Sequence, residues 1–166
     1  MDTVVRRIRA DEGSTLKTMR LRALGDAPGA FAQTLDAVAG RSDAEWDSDA
    51  GRWSSAPDAA SFFAEAGGTL VGMVGVFVEA GAGELVAMWT APEARCRGVG
   101  ADLVAAVIGW CRAAGLVRVR TGVAEGNRAA ARLYERAGFV PTGETRPLPS
   151  GPGRRELRYT LTLPRG

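Results

Sequence analysis

The chain of 166 residues contains no histidine. That absence excludes Ser-His-Asp and Cys-His catalysis, HExxH-type zinc sites and any imidazole proton shuttle. Lysine is nearly missing too, Lys17 being the only one. Two cysteines, Cys96 and Cys111, have no metal-like spacing around them and read as free thiols in a reducing compartment. No run approaches the roughly 18 apolar residues of a membrane span, and the N-terminal residues Met1 to Arg7 hold no apolar signal core. Charge of one sign is scarce: 21 basic against 19 acidic residues leave a net charge of +2. That is too little to call for nucleic acid. The expectation is a cytoplasmic protein with no membrane and no nucleic-acid partner.

What is present suits a soluble globule, with 46% hydrophobic and 24% charged residues, and a single domain is expected over 1–166. Val4 to Arg9 reads as an opening strand. A helix follows Asp11, with Leu16, Met19, Ala23 and Leu24 on one face, and closes near Gly25. A short helix is expected around Phe31 to Ala37. Ser42-Asp43-Ala44-Glu45 matches a capping box, so a helix carrying Trp46 and Trp53 starts at Ser42. Gly67-Gly68 joins strands Ser61–Ala66 and Thr69–Val78 as a hairpin, and a turn at 81–83 leads to a strand Glu84–Thr90. From Gly98 the period becomes helical, with Leu103, Val104, Val107, Ile108 and Cys111 forming a stripe that Gly115 closes. A strand Leu116–Val123, a helix capped by Asn127 and two strands, Phe139–Thr145 and Glu156–Leu163, complete the chain. The order β-α-α-β-β-β-α-β-α-β-β, with the Trp46–Trp53 helix as an extra, predicts an α+β fold. Its central sheet is mixed and mostly antiparallel, with one right-handed crossover joining parallel neighbours.

The most informative segment is Thr90–Leu103, where a strand ends, a loop bearing Arg95, Arg97, Gly98 and Gly100 turns, and a long helix begins. A helix N-terminus presents unpaired N–H groups and partial positive charge, and glycines let an anion approach the backbone. A phosphate-bearing ligand is the natural guest. A nucleotide P-loop is excluded, because the loop has no lysine and no following Ser/Thr. A dinucleotide fingerprint fails because Leu103 stands where the third glycine belongs.

What fits is R-x-x-G-x-G, Arg95 through Gly100, which resembles the acetyl-CoA pyrophosphate loop of the GNAT superfamily of N-acetyltransferases. A second segment, Asn127 through Phe139, resembles that family's N-x-x-A-x-x-x-Y-x-x-x-G-F signature. The resemblance implies a GNAT-like fold and transfer of an acetyl group from acetyl-CoA to an amine, of a small molecule, by direct attack and with no metal. A non-catalytic acyl-CoA-binding protein and a protein or peptide N-acetyltransferase are the alternatives, and a homodimer is left open.

Residue by residue, the resemblance implies that the main chain of Met88, Trp89 and Thr90 lies along the pantetheine arm. The amides of Cys96, Arg97, Gly98, Val99, Gly100 and Ala101 would take the pyrophosphate, with charge added by Arg95 and Arg97. Asn127 would contact the cofactor arm, cap its helix, or both. Tyr134 would donate a proton to the leaving CoA thiolate, or serve only as a core aromatic. Glu84 matches one family branch's glutamate, eleven residues ahead of Arg95, and reads either as the general base or as a solvated carboxylate at a turn. Where other branches place a glutamate, this chain has Gly122, which weakens the analogy to protein N-terminal acetylation. Cys96, where the family often has glycine, is either an acidified thiol or a tolerated small residue. Acceptor recognition is expected from the first helices, the Trp46–Trp53 region and the loop at 147–153, although the two tryptophans also suit the core.

Overall fold

The computed structural model describes residues 2–31 and 33–165. Seven strands and five helices follow one another as β1 (Thr3–Arg7), α1 (Gly13–Asp26), α2 (Leu35–Ala39), α3 (Asp43–Ser55), β2 (Ala59–Ala66), β3 (Thr69–Glu79), β4 (Ala82–Thr90), α4 (Val99–Ala113), β5 (Arg118–Ala124), α5 (Arg128–Arg136), β6 (Val140–Pro147) and β7 (Arg155–Thr162). The strands form one mixed sheet in the order β1-β2-β3-β4-β5-β7-β6. Only β4 and β5 run parallel, and α4 is the crossover between them.

Turn chemistry sets the first half of the sheet. Gly67 and Gly68, at φ 57° and 80°, form the two-residue turn between β2 and β3. The next turn falls at Ala80-Gly81, with φ 49° and 77°, and Ala82 already pairs with Glu79. The strand expected from Glu84 therefore begins two residues earlier, because a tight turn of this handedness needs only its second residue to be glycine when the first tolerates the strain. The helix expected at Phe31 to Ala37 is displaced. A 3-10 turn covers Pro28–Ala30, and α2 starts only after Thr34, whose side chain accepts from the Ala37 N–H at 3.2 Å. Ala32, within the expected span, lies outside the described residues. The Ser42–Glu45 capping box forms with both of its reciprocal hydrogen bonds.

The two faces of the sheet carry different helices. A Cβ on Gly83 would meet Cys111 of α4, and one on Gly75 would meet Trp53 of α3. Successive strand residues alternate, so Gly83 and Leu85 face α4 while Glu84 and Val86 face α3. Leu103, Val104, Val107 and Cys111 of α4 are all buried in the core. At the far edge β6 is exposed along its length, holds Pro141 and Pro147, and changes register near Gly143 (φ 85°). β7 fills the space between β6 and β5 and returns its side chains to the middle of the molecule.

The Gly83 contact sets a measurable limit. A methyl at that position would lie 2.5 Å from the Cys111 Sγ. Gly83→Ala lowers unfolding free energy by about 1–3 kcal/mol in denaturant melts, as overpacking does, and Gly83→Ala combined with Cys111→Ala recovers most of the loss.

Candidate active site

β4 and β5 stay together for three residue pairs only, Gly83–Leu85 against Val119–Thr121. Ala87 then adopts φ 54°, and the pairing with β3 jumps from Gly75↔Val86 to Met73↔Trp89. A bulge of this kind bends its strand. Beyond it β4 pairs with β3 alone, while Gly122, Val123 and Ala124 of β5 pair with β7 alone. The sheet is thus open between two of its central strands. Met88, Trp89 and Thr90 lie along this open edge. The Thr90 carbonyl is already engaged by Arg95 Nε at 3.1 Å.

The opening runs into the start of α4. Gly98 takes the left-handed conformation, φ 85°, directly before Val99, and a Cβ there would touch nothing within 4 Å. Glycine is required at this place by the backbone rather than by space. Cys96 also sits in the left-handed region, at φ 60°, and is exposed. Gly100 differs, since its Cβ would stand 3.2 Å from Leu133, which makes it the point of close packing between α4 and α5. The first amides of a helix have no intrahelical acceptor, and here the Asp102 N–H is bound to the Gly98 carbonyl at 3.0 Å. The amides of Val99, Gly100 and Ala101 precede it in the first turn, where Val99 is buried, Gly100 half-buried and Ala101 exposed. Arg97 is exposed and makes no ion pair among the described residues. Arg95 is instead drawn to Asp26 at the end of α1, which also accepts from Trp89 Nε1 at 2.9 Å. The Trp89 indole and then the Arg95 guanidinium hold the Asp26 carboxyl below its usual range, against the opposing effect of burial. Arg22 lies 5.0 Å from the Trp89 ring and pairs with Glu93, so α1 is fastened to the loop at two places.

Side chains reach the opening from both faces. From the α4 side comes Tyr134 of α5, buried edge-on to Phe139 with ring centroids 5.5 Å apart. Burial pushes its phenol up to about 12, opposed in part by hydrogen bonding with the Thr121 side chain. From the α3 side come the carboxylates. Glu84 is no solvated group: it is buried, and both of its oxygens accept from Arg158 Nη2, at 2.8 and 2.7 Å. Arg158 Nη1 reaches Glu156 Oε1 at 3.2 Å. Neither Glu156 nor Arg158 stands out locally in the sequence. Their spacing of two residues on a strand, flanked by Leu157 and Tyr159, is the only signal that both point to one face.

The cleft enclosed in this way holds about 680 Å³. Asn127 lines it and caps α5, accepting from the Ala130 N–H at 3.2 Å. Trp46 and Trp53 both line the cleft, Trp46 fully buried and Trp53 partly buried against the core. Arg20 of α1 faces the same space; burial, and then the neighbouring Arg41, lower its guanidinium from the ordinary value. The loop at 147–153 acts from outside the cleft wall. Ser150 bonds the Phe31 carbonyl, and the adjacent Arg154 donates to the Gly29 carbonyl at 3.1 Å, which fixes the segment after α1.

A model described as the acetyltransferase (GNAT) family matches residues 30–139. A mycothiol acetyltransferase of Thermobispora bispora is 35% identical over 129 residues, which are 74% of this chain and 41% of that protein. The chain thus spans less than half the length of that curated relative. An acetyltransferase structure from Streptococcus pneumoniae superposes with a TM-score of 0.84 at 18% identity, covering 98% of this chain and 100% of that one. The PaiA N-acetyltransferase of Thermoplasma acidophilum, solved with coenzyme A, gives 0.73 at 17% identity, covering 95% and 98%. Both share the fold described above.

The Tyr134 environment predicts an alkaline signature. Its phenol titrates near 12 rather than the ordinary 10, so folding stability drawn from the neutral phenol is complete below pH 10 and is lost as pH rises toward 12. Ultraviolet titration of phenolate absorbance should show a late step that disappears in Tyr134→Phe.

Proposed function

This chain belongs to the acetyltransferase (GNAT) family, and on that premise we propose that it moves the acetyl group of acetyl-CoA to the amine of a small molecule by direct attack. The observation that carries this reading is the open edge of β4 leading straight into the free amides at the start of α4. An extended pantetheine arm can add to such an edge as a strand would, using the main chain of Met88, Trp89 and Thr90. The pyrophosphate then meets the amides from Cys96 to Ala101 and the exposed Arg97. Arg95 serves the same end by a different route, bracing the loop against Asp26 and Thr90. Asn127 offers its side-chain NH₂ to the cofactor arm while its oxygen caps α5.

Placed this way, the thioester lies in the gap between the two faces. Tyr134 stands on one side as the proton donor to the departing CoA sulfur, and its high pKa keeps it protonated at neutral pH. Glu84, with Arg158 and Glu156, forms the carboxylate side of the cleft, toward which the amine must lose its proton. A small acceptor is favoured by the size of the cleft, whose volume falls within the range usual for small-ligand sites. Catalysis rests on holding the amine against the thioester and on well-placed proton transfer.

Calorimetry with acetyl-CoA and CoA release on a panel of primary amines test the reading. Wild type binds acetyl-CoA and turns over at least one amine. Tyr134→Phe keeps its affinity and loses roughly 10²–10⁴-fold in kcat. Gly98→Val, strained by roughly 1–2 kcal/mol in the left-handed region, binds acetyl-CoA roughly tenfold more weakly while remaining folded. Absence of acetyl-CoA binding overturns the proposal. Binding with no CoA release on any amine leaves an acyl-CoA-binding protein in its place.

A further inference from the structure

We propose that Glu156 is the proton acceptor for the attacking amine and that Arg158 and Glu84 position it, an assignment that rests on the acetyl-transfer reading above. The geometry begins at Gly122, which has no side chain to offer where β5 leaves β4. An ideal Cβ built there would fall 2.3 Å from Glu156 Oε2 and 2.5 Å from its Cδ. The carboxylate of a β7 residue therefore occupies the volume that a β5 side chain would otherwise fill, at the mouth of the gap. Glycine at 122 is what makes room for it.

Of the two carboxylates on Arg158, only Glu156 is free to act. Glu84 has both oxygens held by one guanidinium nitrogen, and its side chain is 5% exposed. Glu156 Oε1 accepts from Arg158, and its Oε2 receives no hydrogen bond from any described residue; its side chain is 20% exposed and lines the cleft. The guanidinium is thus anchored by Glu84 and in turn aims Glu156. The charged groups facing Glu156 are Arg158 on its own strand, Arg146 directly across on β6 and Glu84 beyond Arg158 on β4, with Arg20 of α1 and Arg52 of α3 lining the same cleft. Across the cleft, Asp49 is already paired with Arg41 at 2.8 Å.

Strand alternation gives the two proton-handling groups opposite approaches. Thr121, which touches the Tyr134 hydroxyl, points to the α4 face, and Gly122, under the Glu156 carboxylate, points to the α3 face. Glu156 Oε2 takes a proton from the ammonium form of the acceptor, and the nitrogen lone pair freed in this way bonds to the thioester carbonyl carbon. The tetrahedral intermediate then breaks its C–S bond, and Tyr134 protonates the thiolate. The tyrosinate regains its proton from the acylated nitrogen and Glu156 returns its own to solvent, leaving an amide and CoA thiol.

The test measures CoA release from acetyl-CoA with amino-acid amides, aliphatic diamines and short peptides between pH 6 and 9. Glu156→Gln, which keeps shape and folding, should bind acetyl-CoA as wild type does and lose roughly 10²–10⁴-fold in kcat at neutral pH. The deficit should narrow as pH rises and more amine arrives neutral. Glu156→Ala should be as slow, and adding Gly122→Glu to it should restore activity, since the new carboxylate enters the same volume from β5. Wild-type kcat in Glu156→Gln, or a deficit constant across pH, overturns the assignment of Glu156 alone. A wild type that binds acetyl-CoA yet releases CoA with none of these amines overturns the transfer reading, and this proposal with it.

Discussion

A β-strand inside a sheet must satisfy its main-chain groups on both sides, and β4 does so on only one beyond Leu85. The rest of the molecule is arranged around that unmet requirement. The bulge at Ala87 turns β4 away, β5 keeps only its β7 partner beyond Thr121, and α4 begins where the divided strands point. An extended ligand that supplies the missing partners replaces a strand that the fold withholds. Interior edges of this kind are rare because an exposed row of donors and acceptors invites uncontrolled pairing. Here the edge is recessed between helices on both faces, which limits what can reach it.

Two polar clusters hold the opening in shape. On the loop side, Asp26 gathers Trp89 and Arg95, so the position of α1 and that of the phosphate-facing turn are coupled. On the α3 side, Arg158 is buried between Glu84 and Glu156 and spans the gap from β7 to β4. A buried guanidinium left without its partners is strongly destabilising, whereas an intact cluster adds little net stability. Its contribution is geometric. It ties the last bonded register of β4, at Glu84, to the β7 residues beside the parted strands.

The parts of this architecture readable from the chain were those whose cause is local. The capping box at Ser42, the glycine turn at 67–68, the stripe on α4 and the two motifs at Arg95–Gly100 and Asn127–Phe139 each depend on residues within a few positions of one another. What escaped depends on distant pairing. Glu84 looks like a surface acid until Arg158, 74 residues later, is brought beside it by β7. The pairing of Arg95 with Asp26, 69 residues earlier, has no local trace either. The space over Gly122 looks vacant in sequence because its occupant comes from the neighbouring strand. The displacement of α2 has a smaller cause, the preference of Thr34 for a cap over a helical interior.

A sheet parted in its middle is a wall with a slot through it, and a slot can be approached from two sides. The cleft here is lined from both faces, by Trp46 and Trp53 on one and by Tyr134 on the other, so two groups can meet in it without either departing to admit its partner. No covalent relay through the protein is then needed to carry a group from the first visitor to the second. Initial-rate patterns for a site that holds two substrates at once intersect rather than run parallel.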